Sequence, residues 1–427
     1  MTGGPSRPPT PTETTRTRTP TTPTLTPTTP TRTPTTPTPR RASEAALARC
    51  LEPFDAATFF AEYWEQRPLV VTRDDPGRFD DLLSEADVER LVCSTAIRYP
   101  AFRLVCEGRQ LSVGEYTSDV SWRPPFTETV DVPRVLAEWE AGATIVLQAL
   151  HLNWHPLAVF CRLLEEALGH TMQANAYYTP RRSQGFAVHH DTHDVLVLQV
   201  AGEKGWLVYE PLLELPLKHQ RYSSALGDHG EPTHDVVLHP GDTLYLPRGW
   251  LHEAKTSASD SLHLTVGVGA HTWLDAARSA LDAGEEELAF RRRAGDGSVE
   301  GLVDVLAEQL QPERVEQRRR RRFLDSRRPI RQDGFSQLRA LERMDDAMLL
   351  ERRETVIADL EAWPGGLSLV FEGKEVRFPA HVARELRACY ETEAPFRVAD
   401  LPGELDTDGR LVLARRLVRE GFLRAID

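Results

Sequence analysis

Thiol chemistry has little material in this sequence. Its 427 residues contain five cysteines, Cys50, Cys93, Cys106, Cys161 and Cys389. They are odd in number, widely scattered and never paired as CxxC, which argues against a disulfide framework and against a cysteine-built zinc site. Long apolar runs are also missing: none approaches the roughly 18–20 residues of a membrane helix. No apolar stretch follows the first basic residues, as a secretory signal would require. Positive charge is in deficit, 51 Lys+Arg against 64 Asp+Glu, for a formal charge of −13. Nucleic acid therefore feels no global attraction, although a local basic patch is compatible with this balance. The expectation is a soluble cytoplasmic protein without membrane contact, touching nucleic acid only indirectly. At about 100–200 residues per domain the length allows two to four domains and a sizeable core.

The first forty residues hold eighteen Thr and eleven Pro, and Leu25 is their only sizeable apolar side chain after Met1. Such a segment buries too little apolar surface to offset its ordering entropy. It reads as a solvated, partly polyproline-like tail, or less simply as a proline-rich ligand for a partner. Globular composition begins at Ala42. Helical spacing recurs in 45–51 and 54–64, with Asp55 placed to cap the second, and PLVVT at 68–72 reads as a strand. Helical stretches then alternate with short strands such as FRLVC up to about residue 170. From 171 to 270 the pattern turns β-rich: DVLVLQV, KGWLVYE, DVVLHPGDTLYLP and SLHLTVGV are separated by Gly, Pro and Asp turns, as in a barrel or sandwich covered by helices.

Amphipathic helices follow to about 325, where Leu302, Val305, Leu306 and Leu310 form an apolar stripe suited to intramolecular packing or to a second subunit. Arg318 to Arg322 form a run of five arginines, read either as a patch steering toward RNA or as a solvated helix face. The last hundred residues predict one long helix over 337–363, a hairpin in LSLVFEGKEVRF and two further helices, a winged-helix-like set. With ten Lys+Arg against eleven Asp+Glu from residue 363 on, this module lacks the positive excess of a DNA reader.

Chemistry concentrates in FAVHHDTHDVLVLQV. Side chains at i and i+2 of a strand share a face, so His189 and Asp191 project together with His190 turned away. His252, after the PRGW turn, supplies a third ligand. Two imidazoles and one carboxylate with open positions form the facial triad of non-haem Fe(II) oxygenases, whereas zinc sites fill with four ligands or keep one position open. Asp191 with His193 satisfies the same spacing, so spacing alone leaves the register open.

The segments NAYYTPRRSQGFAVHHDTHDVLVLQVAGEKGWLVYEP and DVVLHPGDTLYLPRGWLHEA resemble the JmjC-type ribosomal oxygenases, cupin-fold protein hydroxylases dependent on Fe(II) and 2-oxoglutarate. FFAEYWEQRPLVV resembles their entry segment, and the likeness spans roughly residues 50–270. The resemblance implies an α+β fold with a double-stranded β-helix (cupin, jelly-roll) core and flanking helices. Its divisions would be a Thr/Pro-rich tail (1–41), a JmjC catalytic domain (42–271), a helical, dimer-forming segment (272–328) and a winged-helix-like domain (329–427). It implies His189, Asp191 and His252 as the metal ligands. It also implies that Lys204 holds the distal carboxylate of 2-oxoglutarate, which physical reasoning supports, since a buried dianion needs a cation at its far end. Asn175 and Tyr177 would line the co-substrate and substrate pocket, and Ser261 and His263 lie within reach of it. His190 and His193 depart from the family pattern.

The implied reaction consumes O₂ and 2-oxoglutarate and hydroxylates the β-carbon of a histidine or arginine in a ribosomal protein. Two alternatives remain at this point: the same chemistry on a non-ribosomal peptide, and a non-catalytic metal-binding cupin serving as an assembly protein. The second has no use for a cation at position 204. Lysine demethylation lacks support, because no aromatic cage is visible.

Overall fold

The computed structural model describes residues 39–426 apart from 122, 124, 294–299 and 393, so the expectation for the Thr/Pro-rich tail falls almost wholly outside the described residues. The first helix, Pro39–Leu51, begins shortly before the expected boundary. Among the described residues no helix is long and apolar enough to cross a membrane.

Two antiparallel sheets face each other as a double-stranded β-helix. The larger runs in the order Leu69–Val71, Thr243–Leu246, Asp194–Ala201, Ser261–Gly269, Thr171–Thr179, Thr144–Leu147, Phe102–Cys106 and Arg109–Gln110. The smaller has Lys204–Tyr209 between His234–Leu238 and Leu251–Lys255. Strand periodicity gives each face its own job. On the three central strands of the larger sheet, even positions (Met172, Ala174, Ala176, Leu196, Leu198, Leu262, Leu264, Val266) join a core with Leu47, Leu51, Leu157, Phe160 and Leu164 of the helices Pro39–Leu51 and His155–Leu168. Odd positions face the barrel interior, where Val195 and Val197 meet Trp206, Val208, Leu244 and Leu246. The rest of that interior is polar: Asn175, Tyr177, Thr179, His263 and Thr265 occupy odd positions paired across the Thr171–Thr179 and Ser261–Gly269 strands.

The turn chemistry is as the sequence indicates. Asp55 Oδ1 accepts the Thr58 N–H at 2.7 Å, capping Ala56–Glu62. In the PGD turn Gly241 adopts φ +91°, and Asp242 accepts N–H groups from His239 and Arg73, both at 2.7 Å. In the PRG turn Gly249 adopts φ +95°, and a Cβ there would lie 2.5 Å from the Leu213 carbonyl oxygen. Only glycine fits such a position.

The long helix expected over 337–363 is not formed. The helix Gly334–Arg343 stops before Met344, and the chain continues as the strands Leu349–Arg352 and Ala358–Trp363. Leu350 and Glu351 are buried side by side, as are Val356, Ile357 and Ala358. Helical spacing would place such neighbours on different faces, so tertiary burial overrides the helix-forming letters between them. The last helix, Thr407–Glu420, likewise ends earlier than expected, at Gly421 with φ +84°, and Leu423–Ile426 is a strand. The expected hairpin is present, Gly366–Phe371 pairing with Lys374–Pro379.

The arginine run is committed within the fold. It lies in the helix Pro312–Asp325. Arg318 bonds Gln309, Arg319 pairs with Glu316, Arg320 forks onto Asp359 at 2.8–3.2 Å, and Arg321 meets Asp325, Glu361 and Glu375. An RNA-steering patch is thereby disfavoured, since most of these charges already have carboxylate partners. Nearby, Arg162 is 5% exposed and bonds Glu165 at 2.9 Å, the Thr355 carbonyl at 2.8 Å and the Arg328 carbonyl at 2.7 Å. Glu165 also accepts from Arg327 and, at 3.0 Å, from the Met172 N–H. Removing one member of a buried ion network destabilises by about 3–5 kcal/mol. Arg162→Ala is expected to lose stability of that order in urea unfolding, and to expose the segment around 326–332 to limited proteolysis.

Candidate metal and co-substrate site

The segment 184–189 runs beside Leu251–Lys255 outside the regular sheets. His189 and His252 form an antiparallel bridge, with N–H to O distances of 3.2 and 2.9 Å. The Gly249 N–H holds the Asp191 carbonyl at 3.0 Å, so the PRG turn fixes the backbone that carries the carboxylate. His189, Asp191 and His252 each offer a ligand atom, all within 4.8 Å of one another. The imidazole centroids lie 4.5 Å apart, and His252 Nε2 is 3.8 Å from Asp191 Oδ2.

Each imidazole is oriented through its other nitrogen. His189 Nδ1 lies 2.8 Å from the Ala187 carbonyl oxygen and His252 Nδ1 lies 3.1 Å from that of Trp250. A carbonyl only accepts, so both Nδ1 atoms carry the proton and both Nε2 lone pairs are free to bind a cation. Burial, then the neighbouring His189, lowers the His252 pKa to about 4. Burial alone would raise the Asp191 pKa, but His252, His193, His189 and His190 together hold it below the usual carboxylate range. A divalent metal binds an ionised carboxylate and unprotonated imidazole nitrogens, the donor atoms this cluster presents.

The alternative register is not assembled, since His193 stands outside the cluster with its ring against Gly267. His190 is turned away as expected: it is buried, bonded through Nε2 to the Gln220 carbonyl at 3.1 Å and edge-on to Tyr222.

A cavity of about 200 Å³ extends from the three residues into the barrel, lined among others by Tyr177, Phe186, Lys204, Trp206, His263 and Thr265. Lys204 is 3% exposed, and its Nζ donates to Thr179 Oγ1 at 2.9 Å, which lies 3.1 Å from Thr144 Oγ1. No salt bridge involves Lys204 among the described residues, and burial lowers its pKa to about 7. Tyr177, on the same wall, has its pKa raised by burial and then by the Asp191 charge.

Asn175 is placed differently from the expectation of a cavity-lining residue. Its Oδ1 accepts the Ala149 N–H at 2.9 Å, and its side chain supports Tyr177. Ser261 is wholly buried and accepts from Gln199 Nε2 at 2.9 Å. Sequence reasoning passed over Thr179 and Trp206, although each stands two residues from a candidate (Tyr177 and Lys204) on the same strand face, which is the signal that points to them.

A two-sheet barrel with a His/Asp/His cluster at its mouth is a cupin architecture. Residues 149–276 match the JmjC domain model. The chain is 34% identical over 221 residues to the Drosophila persimilis protein called bifunctional lysine-specific demethylase and histidyl-hydroxylase NO66, covering 52% of this chain and 31% of that one. It is 34% identical over 256 residues to ribosomal oxygenase 2 of Mus musculus, covering 56% of this chain and 52% of the relative. The chain thus spans about half or less of the curated relatives it matches. Among solved structures it resembles the Escherichia coli ribosomal oxygenase YcfD in complex with cobalt and 2-oxoglutarate, at 19% identity and TM-score 0.52, covering 88% of this chain and 99% of that one. By sequence the chain is thus similar to curated ribosomal oxygenases over its JmjC region, and by fold to YcfD.

Proposed function

We propose that this protein is an Fe(II)- and 2-oxoglutarate-dependent oxygenase that hydroxylates a histidine or arginine side chain of a ribosomal protein. The observation that carries the reading is Lys204: a buried side-chain amine with no counter-ion among the described residues, in the same cavity as the His/Asp/His cluster. Burying an unpaired charge is costly, so the site is built for an anion that brings the missing partner. The donor set fits a divalent iron, with His189 Nε2, Asp191 and His252 Nε2 as ligands. Iron with 2-oxoglutarate and O₂ supplies the oxidising power for an unactivated C–H bond, releasing succinate and CO₂.

The chain's own residues do the rest. Carbonyls of Ala187 and Trp250 fix the ring tautomers, Lys204 holds the distal carboxylate, and Phe186, Trp206 and Tyr177 wall the cavity from bulk water. Mass spectrometry of ribosomes from cells with and without the gene tests the substrate. One ribosomal protein should gain a single oxygen only when the gene is present, and loss of a methyl group instead would favour demethylation.

We place the protein in the cytoplasm and read residues 329–427 as winged-helix-like, on the strength of three helices beside an antiparallel hairpin. The segment 272–328 exposes Trp273 (73%), Leu274, Leu281, Leu288 and Val303, whereas the stripe of Leu302, Val305, Leu306 and Leu310 is half-buried. This apolar surface supports a homodimer. Trp273→Glu is expected to convert it to monomer in sedimentation velocity.

A further inference from the structure

One polar side chain of the cavity has no task in the arrangement so far. His263 is 3% exposed and sits opposite Tyr177 in the strand register. Its ring stacks on the Tyr177 ring (centroids 5.0 Å apart, planes 6° apart) and meets Trp206 edge-on at 5.5 Å. It lines the same cavity as Lys204 and the His/Asp/His cluster. One register step further into the barrel, Ser261 pairs with Thr179, the residue that receives the Lys204 ammonium. His263 therefore lies between the ammonium and the metal-binding end.

The state of the ring follows from its surroundings. Burial, then the Lys204 charge, holds its pKa well below the ordinary histidine value, so it is neutral and carries one N–H. Nδ1 is sealed in the wall without a hydrogen-bond partner. An orphaned buried N–H is rarer and more costly than an unused lone pair, which puts the proton on Nε2, the nitrogen left toward the cavity. The stack on Tyr177 and the edge contact with Trp206 fix the ring plane, so this donor is oriented before a ligand arrives.

We propose that the His263 Nε2–H is a second fixed donor, beside the Lys204 ammonium, for the distal carboxylate of the 2-oxo diacid. The inference rests on the co-substrate reading above. A carboxylate has about four lone-pair sites, and a single ammonium that already spends one proton on Thr179 leaves it under-served in a dry pocket. A neutral donor adds a hydrogen bond without placing a second charge next to Lys204.

The test is calorimetric, on the full-length protein under anaerobic conditions, titrated first with Mn(II) alone and then with 2-oxoglutarate. His263→Phe keeps an aromatic ring on Tyr177 and removes the donor, while His263→Gln restores an N–H near the Nε2 position. A hydrogen bond to a charged group predicts about 10- to 100-fold weaker 2-oxoglutarate binding in His263→Phe. Mn(II) affinity should stay unchanged, and His263→Gln should recover most of the loss. Undiminished 2-oxoglutarate binding by His263→Phe overturns the proposal. So does a parallel loss of Mn(II) affinity that His263→Gln fails to rescue, because that pattern marks a packing role. Wild-type protein that binds Mn(II) but no 2-oxoglutarate removes the co-substrate reading itself, an outcome distinct from either result with the variants.

Discussion

Lys204→Met is expected to weaken 2-oxoglutarate binding by about two orders of magnitude or more, and at the same time to raise the melting temperature of the co-substrate-free protein. Both effects come from one buried charge. With the diacid bound, the ammonium is half of a desolvated ion pair, and removing it strands a carboxylate, which is worth about 3–5 kcal/mol. Without the diacid, the ammonium is itself stranded, and an apolar side chain of similar length removes that penalty.

The pH dependence has a definite sign. Burial lowers the Lys204 pKa in the folded protein to about 7, from the ordinary lysine value of 10.5. Between those limits the unfolded chain binds more protons than the folded one, so this group makes stability rise with pH across that window. The penalty is fullest below pH 7 and gone above about 10.5. Melting curves of wild type and Lys204→Met should therefore diverge at neutral pH and converge in alkali. A constant difference would show that the charge is not its source. Binding of the dianion favours the ammonium, so complex formation above pH 7 takes up a proton, visible as a buffer-dependent heat in calorimetry.

His252→Ala is expected to abolish the charge-transfer band that Fe(II) and 2-oxoglutarate produce together, and to bring co-substrate turnover to background. Two remaining donors cannot reproduce the cluster in which three ligand atoms lie within 4.8 Å. His193→Ala should leave the band in place, because that imidazole lies outside the cluster. Loss of the band in His193→Ala and its survival in His252→Ala would assign the metal to the other register.

The sequence made the barrel legible because its strands are short runs rich in β-branched and aromatic residues, and because its turns carry glycine where positive φ is required. FRLVC, DVLVLQV and KGWLVY appear as strands nearly residue for residue. The His189–Asp191 pair was visible because the two stand two residues apart on one extended face. Residues 344–363 were illegible because their glutamates, arginines and leucines favour a helix locally, while the strand is dictated by partners far along the chain, Leu350 opposite Ala425 and Leu360 opposite Leu369. Nor did single letters tell that Asn175 props Tyr177 from behind, or that three of five consecutive arginines, Arg319 to Arg321, are paired with Glu316, Asp359, Glu361 and Glu375. Those are facts of distance, set only once the sheets close.

The alternation along Thr171–Thr179 and Ser261–Gly269 has a bearing on how this protein would change under selection. Neighbouring residues answer to separate demands: even positions to the helices outside, odd positions to whatever occupies the barrel. A combinatorial library confined to 177, 263 and 265, which line the cavity, would vary the ligand a barrel accepts while leaving the outer core intact. The same number of changes among 174, 176, 262, 264 and 266 would exhaust the stability reserve before it altered a single cavity contact. Adaptability here is thus partitioned at single-residue spacing, and divergence of co-substrate or target should be written in every second letter of these strands.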